Sequence, residues 1–492
     1  MDFQSILLII SLAVVGYIFY TVVFPPWNFP KNIPTIPFYV IFLPSILNID
    51  QTELYHIYLR EPLEKYGAAK IFFGSRWNII VTKPDMLAQV FKDEDVYAKS
   101  GNQKKIPHSV IAAYTGDNII SAHGQVWKLY RSIITNGLQH FDDNPIFKNA
   151  KLFGDIIDEK FQHKNPGEEI TILMTGLIQR LCLDNISRVV LGFNFATLTN
   201  DKSPLHEHLM RIKKQIFHPF FLTFPFFDHL PIPARRRGFK DVEEFRNQLV
   251  QHVDDQLVKN YKFEQTTFAV SDLIRAYKKD NINRKQLIDN IVILLVAGHE
   301  NPQLLLTTSL YLLAKYSQKW QRKIREEVMN VFDSKKLSEL PLLNSFLYEA
   351  VRLYPPLNTI INRCTSKTCL LGTNVVIPKG TYVGYNNFST NHDRSSWGAD
   401  ADEFQPERWG DDIKSITKNW KHAKNACKVS SFHGGRRACL GEKLGLTEMR
   451  ITISEILRRY EWTLAPEWDE KMTPAGPLAP LNLKLNFKKV NL

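Results

Sequence analysis

The chain has 492 residues, 44 % of them hydrophobic, and no flexible linker or internal repeat interrupts residues 50–490. That excludes an array of ~150-residue modules and fits one large, mainly helical domain. A formal net charge of +12 suits an acidic partner or an anionic membrane surface, and the lack of a nucleic-acid motif or basic tail sets nucleic acid aside.

Residues Ile6 to Phe24 form a run of nineteen residues without a charge, long enough to span a bilayer as a helix. Asp2 precedes it and bulky Phe24-Pro25-Pro26-Trp27 follows, which favours an uncleaved anchor over a signal peptide. Lys31 after the run and Asp2 before it place the following chain in the cytosol. Pro25, Pro26, Pro30, Pro34 and Pro37 then give a stiff, extended hinge that cannot continue a helix. Residues 52–66 read as an amphipathic helix ending at Gly67. Ala69–Phe73 and Trp77–Val81 read as a hairpin around Gly74-Ser75-Arg76, and Pro84–Phe91 as helix. A long polar loop runs from Ser100 to Ser121. Trp127 and Arg131 lie four apart on one helical face. An indole N–H beside a guanidinium can grip a carboxylate, although a surface helix with a half-buried tryptophan has the same pattern.

Residues 146–164, 168–192 and 205–220 follow helical periods. Phe217–Phe227 is densely aromatic and reads equally as core. Arg235-Arg236-Arg237 suits lipid head groups, an anionic substrate or a solvated helix start. From about Asn283 to Tyr316 one helical pattern extends roughly 50 Å. In its middle lies Ala297-Gly298-His299-Glu300-Asn301-Pro302. Gly298 admits a close approach, and Pro302 should kink the helix. The freed carbonyl and the side chains of Glu300 and Asn301 can hold water. Glu349 and Arg352 pair at i, i+3. Val375–Ile377 and Tyr382–Tyr385 read as a small hairpin, His392 as a buried structural histidine. Trp462–Leu464 and Leu481–Phe487 read as a β-pair joined by a proline-rich tip, Thr473–Pro480.

The five cysteines, Cys182, Cys364, Cys369, Cys427 and Cys439, are odd in number and form no Cys-x-x-Cys pair. A disulfide framework and a structural zinc site are therefore disfavoured. Cys439 stands apart, near the end of Phe432-His433-Gly434-Gly435-Arg436-Arg437-Ala438-Cys439-Leu440-Gly441 and just before a helical pattern, Leu440–Arg459. A helix start and two arginines favour thiolate over thiol. Glycines leave room for a flat ligand. That chemistry suits a sulfur anion bound axially to a metal in a planar macrocycle; a free cysteine packed in a loop is the simpler alternative.

This stretch resembles the haem-binding loop of the cytochrome P450 family, F-x-x-G-x-R-x-C-x-G, with Phe432, Gly435, Arg437, Cys439 and Gly441 at the fixed positions. Three further segments agree in order. Residues 297–301 resemble A-G-x-[DE]-T, with Asn301 in place of threonine; Glu349 and Arg352 match E-x-x-R; Pro406-Glu407-Arg408-Trp409 matches P-E-R-[FW]. The resemblance implies a mainly α fold with small β-sheets, a triangular helical prism crossed by a long central helix and preceded by one transmembrane helix. It divides the chain into an anchor (1–24), a proline-rich hinge (25–49) and a catalytic domain (50–492). It implies haem b with Cys439 as axial thiolate, propionate partners at Arg437, Trp127, Arg131 and Arg363, and a support for the haem loop at Glu349, Arg352 and Arg408. Gly298 joins Phe432, Gly435 and Gly441 as cofactor-binding positions, and Glu300 and Asn301 are the catalytic candidates. Ser100–Ser121 would cover the substrate pocket, Phe217–Phe227 would form its roof against the membrane, and the Thr473–Pro480 tip would reach into it.

Electrons would come from NADPH-cytochrome P450 reductase, with cytochrome b5 as a further donor. NADPH would be used by that partner, since no dinucleotide fingerprint occurs here. The anchor and hinge resemble those of family members of the endoplasmic reticulum membrane. Asparagine is a poor proton relay at neutral pH, which points away from ordinary hydroxylation. Ala297–Gln303 resembles the ascomycete-yeast branch that oxidises N-formyl-tyrosine to bisformyl dityrosine for the spore wall. A generic monooxygenase of lipids or other small apolar molecules, and a haem-thiolate sensor without turnover, are the alternatives.

Overall fold

The computed structural model describes residues 3–490, except 163, 166, 201 and 260–267. Asp2, His163, Asn491 and Leu492, which the readings above include, lie outside the described residues. The apolar run closes into a helix, Phe3–Val23, none of whose residues is buried. It is long and apolar enough to cross a membrane, and a helix satisfies all its own backbone groups there. Its end touches the body of the protein where Trp77 Nε1 donates to the Thr21 carbonyl at 3.0 Å.

Among the described residues ten strands make three sheets. They are β1 (Ala68–Phe73), β2 (Arg76–Val81), β3 (Tyr97–Lys99), β4 (Ile170–Leu173), β5 (Thr359–Thr365), β6 (Cys369–Leu371), β7 (Val375–Ile377), β8 (Tyr382–Asn386), β9 (Tyr460–Leu464) and β10 (Lys484–Lys489). The first sheet has the order β1-β2-β8-β5-β3, the second β4-β10-β9, and β6 pairs with β7 alone. The β1–β2 hairpin forms as the sequence predicts, with Phe73 opposite Arg76.

Four local readings need correction. Val375–Ile377 and Tyr382–Tyr385 do not pair with each other. β7 pairs back with β6, while β8 runs parallel to β2 and antiparallel to β5. β6 immediately precedes β7, whereas β2 is remote from β8 in sequence, so no local signal marks the β2–β8 pairing. Residues 170–173 are a strand paired with β10, and the helix begins only at Met174. Ile170 and Ile172 are buried while Thr171 and Leu173 are exposed, the alternation of a half-buried strand. The Ser100–Ser121 segment contains two short helices, Asn102–Lys105 and Val110–Thr115. The helix read over 205–220 ends at Ile216, and a separate short turn of helix starts at Pro219.

The central helix runs Arg284–Lys315. Asn283 Oδ1 accepts from the Gln286 amide, and Gln286 Oε1 accepts from the Asn283 amide, both at 2.9 Å, a reciprocal cap that fixes its start. Pro302 lies inside it without ending it. The helix packs against Met174–Ile186, Pro341–Leu353, Glu442–Arg459 and β9. Its apolar residues join one continuous core, and a second, smaller core lies beside the five-stranded sheet around Val81, Leu87, Phe91, Tyr97, Val383 and Tyr385.

Candidate active site

The cysteine loop is a tight structure built by its backbone. Gly435–Arg437 forms one turn of 3-10 helix. Gly435 has φ +61°, a conformation that favours glycine. A Cβ on Gly434 would lie 2.4 Å from the Phe91 ring, so that ring seats directly on the loop. Cys439 N–H donates to the Phe432 carbonyl at 2.9 Å, and Phe432 packs edge-on against Trp420. The following helix is Glu442–Arg459, with Gly441 at its N-cap.

Cys439 is exposed to solvent-sized space at its own surface, yet the protein surrounds it at longer range, and that environment governs its ionisation. Burial pushes the thiol up, and the Gly441 and Glu442 backbone N–H groups pull it down. Arg436 and Arg437 gather at Trp127. Their guanidinium groups lie over the Trp127 ring, at 5.8 and 4.2 Å from its centroid. Arg131 approaches the same ring at 5.6 Å. Trp127 and Arg131 therefore do stand on one helical face, Gly124–Gln139, and Arg437 joins them from the cysteine loop.

Arg437 also pairs with Glu94 at 3.2 Å and donates to the Ala122 carbonyl. Arg363 is fully buried (0 % exposed). Its Nη1 donates to the Tyr97 carbonyl at 3.0 Å, whereas Nε and Nη2 are buried with no partner among the described residues. β3 brings in Lys99, whose Nζ lies 2.9 Å from His433 Nε2; Tyr385 holds the other side of that imidazole. Burial, then Arg363 and Arg437, drives Lys99 well below the usual lysine range. Burial and then Lys99 do the same to His433, and burial lowers Arg437 to about 10.

Lys99, Arg363 and Arg437 thus converge as buried cations with Glu94 as the one carboxylate among their charge partners. Buried charge of one sign is costly without a counter-ion. The donors and the orphaned Arg363 nitrogens fit the carboxylates of a dianion such as haem, which this cluster and Cys439 would hold between them. Lys99 and His433 were not found from sequence. His433 stands inside the Phe432–Gly441 loop, and that position is a signal in the sequence, while its left-handed φ of +65° belongs to the fold; Lys99 carries no such signal.

On the central helix, a Cβ on Gly298 would lie 2.1 Å from Ile186 Cδ1, so this glycine permits close helix packing. Glu300 meets Lys213 of the Pro204–Ile216 helix at 3.3 Å, a partner that sequence gave no sign of. Buried His299 bonds through Nδ1 to the Leu295 carbonyl at 2.7 Å, and burial keeps it well below the usual histidine range. No hydrogen bond or ion pair links Glu300 or Asn301 to the cysteine loop among the described residues.

Glu349 and Arg352 are both fully buried. Arg352 donates to both Glu349 oxygens at 2.8 and 2.7 Å. Arg408 Nε at 2.8 Å, Trp409 Nε1 at 3.1 Å and the Gln405 amide at 3.1 Å complete the carboxylate's shell. Arg352 reaches the Asn391 carbonyl at 2.8 Å. Asn391 in turn binds Ser431 Oγ at 2.8 Å and the Ser430 amide at 3.1 Å, the two residues that lead into Phe432. The chain Glu349–Arg352–Asn391–Ser430 is thus a physical strut under the cysteine loop. His392 stacks on Phe388 at 3.9 Å and bonds to its carbonyl, a structural role.

The profile of the cytochrome P450 family matches residues 34–488. The chain is 64 % identical over 489 residues to Cytochrome P450-DIT2 of Saccharomyces cerevisiae, covering 99 % of both chains. It is 35 % identical over 482 residues to Cytochrome P450 monooxygenase xanG of Aspergillus fumigatus, covering 95 % of this chain and 88 % of that one. Against Cytochrome P450 734A1 of Arabidopsis thaliana the identity is 25 % over 428 residues, 84 % of this chain and 79 % of that one.

Proposed function

The chain belongs to the cytochrome P450 family of haem-thiolate oxidoreductases, and we propose that it couples two N-formyl-tyrosine molecules to bisformyl dityrosine for a spore wall. The observation that carries this reading is Asn301, at the position of the family's proton-delivering hydroxyl, in a chain 64 % identical to Cytochrome P450-DIT2. An amide can hydrogen-bond but is a poor proton relay near neutral pH. Phenol coupling needs no oxygen inserted into product: one C–C bond joins the two rings and two ring hydrogens are lost. Balance is reached when dioxygen takes those two, plus two protons and two electrons from the NADPH side, and leaves as two waters.

Cys439 Sγ would hold the haem iron, Arg363, Arg437, Lys99, Trp127 and Arg131 would face its carboxylates, and Phe432, Gly435, Gly441 and Gly298 would bound its faces. When bound, the haem supplies oxidation of the phenols at the expense of dioxygen. The residues of this chain position and exclude. The Glu349–Arg352–Arg408 cluster fixes the loop that presents the thiol. Glu300, tethered by Lys213 at 3.3 Å, supplies the ionisable group of the central-helix motif, and Asn301 orients water beside it.

Residues 1–24 serve as anchor, 25–49 as hinge and 50–492 as the catalytic domain, in the endoplasmic reticulum membrane with that domain facing the cytosol. Electrons reach it from NADPH-cytochrome P450 reductase, and cytochrome b5 is a second donor. Exposed Lys128, Arg436 and Lys443 around the cysteine loop suit an acidic partner surface. The test is to reconstitute the full chain with haem, reductase and NADPH, add N-formyl-tyrosine, and follow dityrosine fluorescence. A coupled dimer is expected. An oxygen-labelled hydroxylated monomer would instead establish the second reading, hydroxylation, which the 35 % identity to a protein named as a monooxygenase supports.

A further inference from the structure

A second pair of basic groups, buried Lys105 and half-buried Arg76, lies outside the haem cluster. Lys105, in the short helix Asn102–Lys105, is 3 % exposed. Its Nζ donates to the Ile361 carbonyl at 2.7 Å and stands 5.5 Å above the Phe73 ring. Arg76, at the start of β2, donates through Nη2 to the Lys105 carbonyl at 2.6 Å and lies 4.9 Å from the centre of the Tyr382 ring. Arg76 Nε is itself buried and has no hydrogen-bond partner among the described residues. Among the described residues neither cation has a carboxylate partner. Burial and then Arg76 push Lys105 down to about 7, and no acidic group opposes them. A buried ammonium beside a half-buried guanidinium, with no carboxylate between them, is a pairing that an incoming anion would relieve.

Their location is set by the sheet and the two segments that cross it. Ile361 lies on β5 two residues before Arg363, roughly 7 Å along the strand, so the pair sits one short step from the haem cluster. The segment carrying Lys105 then crosses to the central helix, where the Asp117 amide donates to Asp289 Oδ2 at 2.9 Å and the Ile119 amide to Asn290 Oδ1 at 3.0 Å. The turn before Arg76 is closed from above by the aromatic stretch, because the Ser75 amide donates to the Thr223 carbonyl at 2.7 Å. Lys105 and Arg76 therefore stand where the β-sheet, the Ser100–Ser121 segment and the Phe217–Phe227 roof meet.

We propose that Arg76 and Lys105 form the receptor for the carboxylate of the substrate, an aromatic amino-acid derivative held by its acid group with its phenol directed inward. This deepens the reading of the substrate given above and rests on it. An arginine fork and a point-charge ammonium together match a carboxylate's two oxygens. With the acid held there, the phenol would extend along β5 toward Arg363 and the cysteine loop.

The test uses the full-length, haem-loaded protein and the spin-state shift of its absorption spectrum. N-formyl-tyrosine is titrated against N-formyl-tyramine, which has the same phenol and formamide but no carboxylate. The wild type should bind the acid about tenfold more tightly. Lys105→Met and Arg76→Gln should each abolish that preference, with the tyramine affinity and the reduced carbon monoxide spectrum unchanged. Equal binding of acid and neutral ligand by the wild type overturns the proposal, as does an equal loss of both ligands in the variants. 3-(4-Hydroxyphenyl)propionate against tyrosol repeats the comparison without the formamide. If the acids bind preferentially and the variants lose that preference but no dimer forms, the receptor stands and the coupling reading fails. If neither acid shifts the wild-type spectrum, the receptor itself is overturned.

Discussion

At Cys439 two influences oppose each other: the surrounding protein raises the thiol, and the Gly441 and Glu442 amides lower it. Few contacts depend on the sulfur itself, so Cys439→Ala should keep the far-ultraviolet circular dichroism of the wild type. It should lose the thiolate carbon monoxide band completely; a band that survived would remove Cys439 as ligand. Glu448 makes a different prediction. It is buried on the helix that follows the cysteine loop and accepts from Asn185 Nδ2 at 2.8 Å, and Asn149 in turn donates to Asn185. Burial raises its carboxyl to about 7, so the folded state binds a proton that the unfolded chain releases from about pH 4.5 upward. This contribution is full below pH 4.5 and is lost as pH rises through 7, by roughly 3 kcal/mol. Glu448→Gln keeps the amide partner and should flatten the fall in urea-unfolding free energy between pH 5 and 8.

Elements are held in place by contacts that tolerate little change. The helix Gly124–Gln139, which carries Trp127 and Arg131, approaches the helix Ala269–Lys278 so closely that a Cβ on Gly137 would lie 2.3 Å from the Ala269 backbone nitrogen. Backbone cannot move aside as a side chain can, so Gly137→Ala should cost about 1–3 kcal/mol and loosen haem retention. Gly176→Ala is the matched control. That site is open space within a helix, and the change should stabilise by about 0.5–1 kcal/mol in the same thermal unfolding assay. The strut under the cysteine loop is more demanding. Glu349 is enclosed by Arg352, Arg408, Trp409 and Gln405, and removing it leaves a buried guanidinium unpaired. Glu349→Ala should therefore lose about 3–5 kcal/mol and yield protein that does not retain haem.

Over the whole molecule, the apolar surface is not confined to the first helix. Trp27 is 87 % exposed, and Tyr39, Ile46, Leu47, Phe220, Phe226 and Leu230 are exposed as well. Phe42 stacks on Phe224 at 5.9 Å, which joins the hinge to the aromatic roof as one apolar margin. A chain lacking residues 1–24 should accordingly remain partly bound to anionic vesicles in a flotation assay. Adding Phe220→Ser, Phe226→Ser and Leu230→Ser should release it. Unchanged flotation after those substitutions would confine membrane binding to other parts of the surface.

The sequence by itself determined what depends on short spacing. A run of uncharged residues becomes the Phe3–Val23 helix, a helical period becomes Arg284–Lys315, and the loop around Cys439 is written in ten consecutive residues. Glu349 and Arg352 could be paired because they lie one helical turn apart. Tertiary structure decided what depends on charges meeting from afar. Lys99 and Arg363 come to His433 because β3 pairs with β5, and Arg76 and Lys105 meet because the segment after β3 folds back over the sheet. Arg436 and Arg437 meet Trp127, which lies far back in the chain. β8 was misread for the same reason, since its hydrogen bonds go to β2 and β5 and none to its neighbour in sequence. A covalent spacing fixes a local geometry, whereas the partner of a buried cation is whatever the folded chain places beside it. At this site the pattern in the chain singled out Cys439 as the candidate metal ligand, and the fold supplied the electrostatic surroundings beside it.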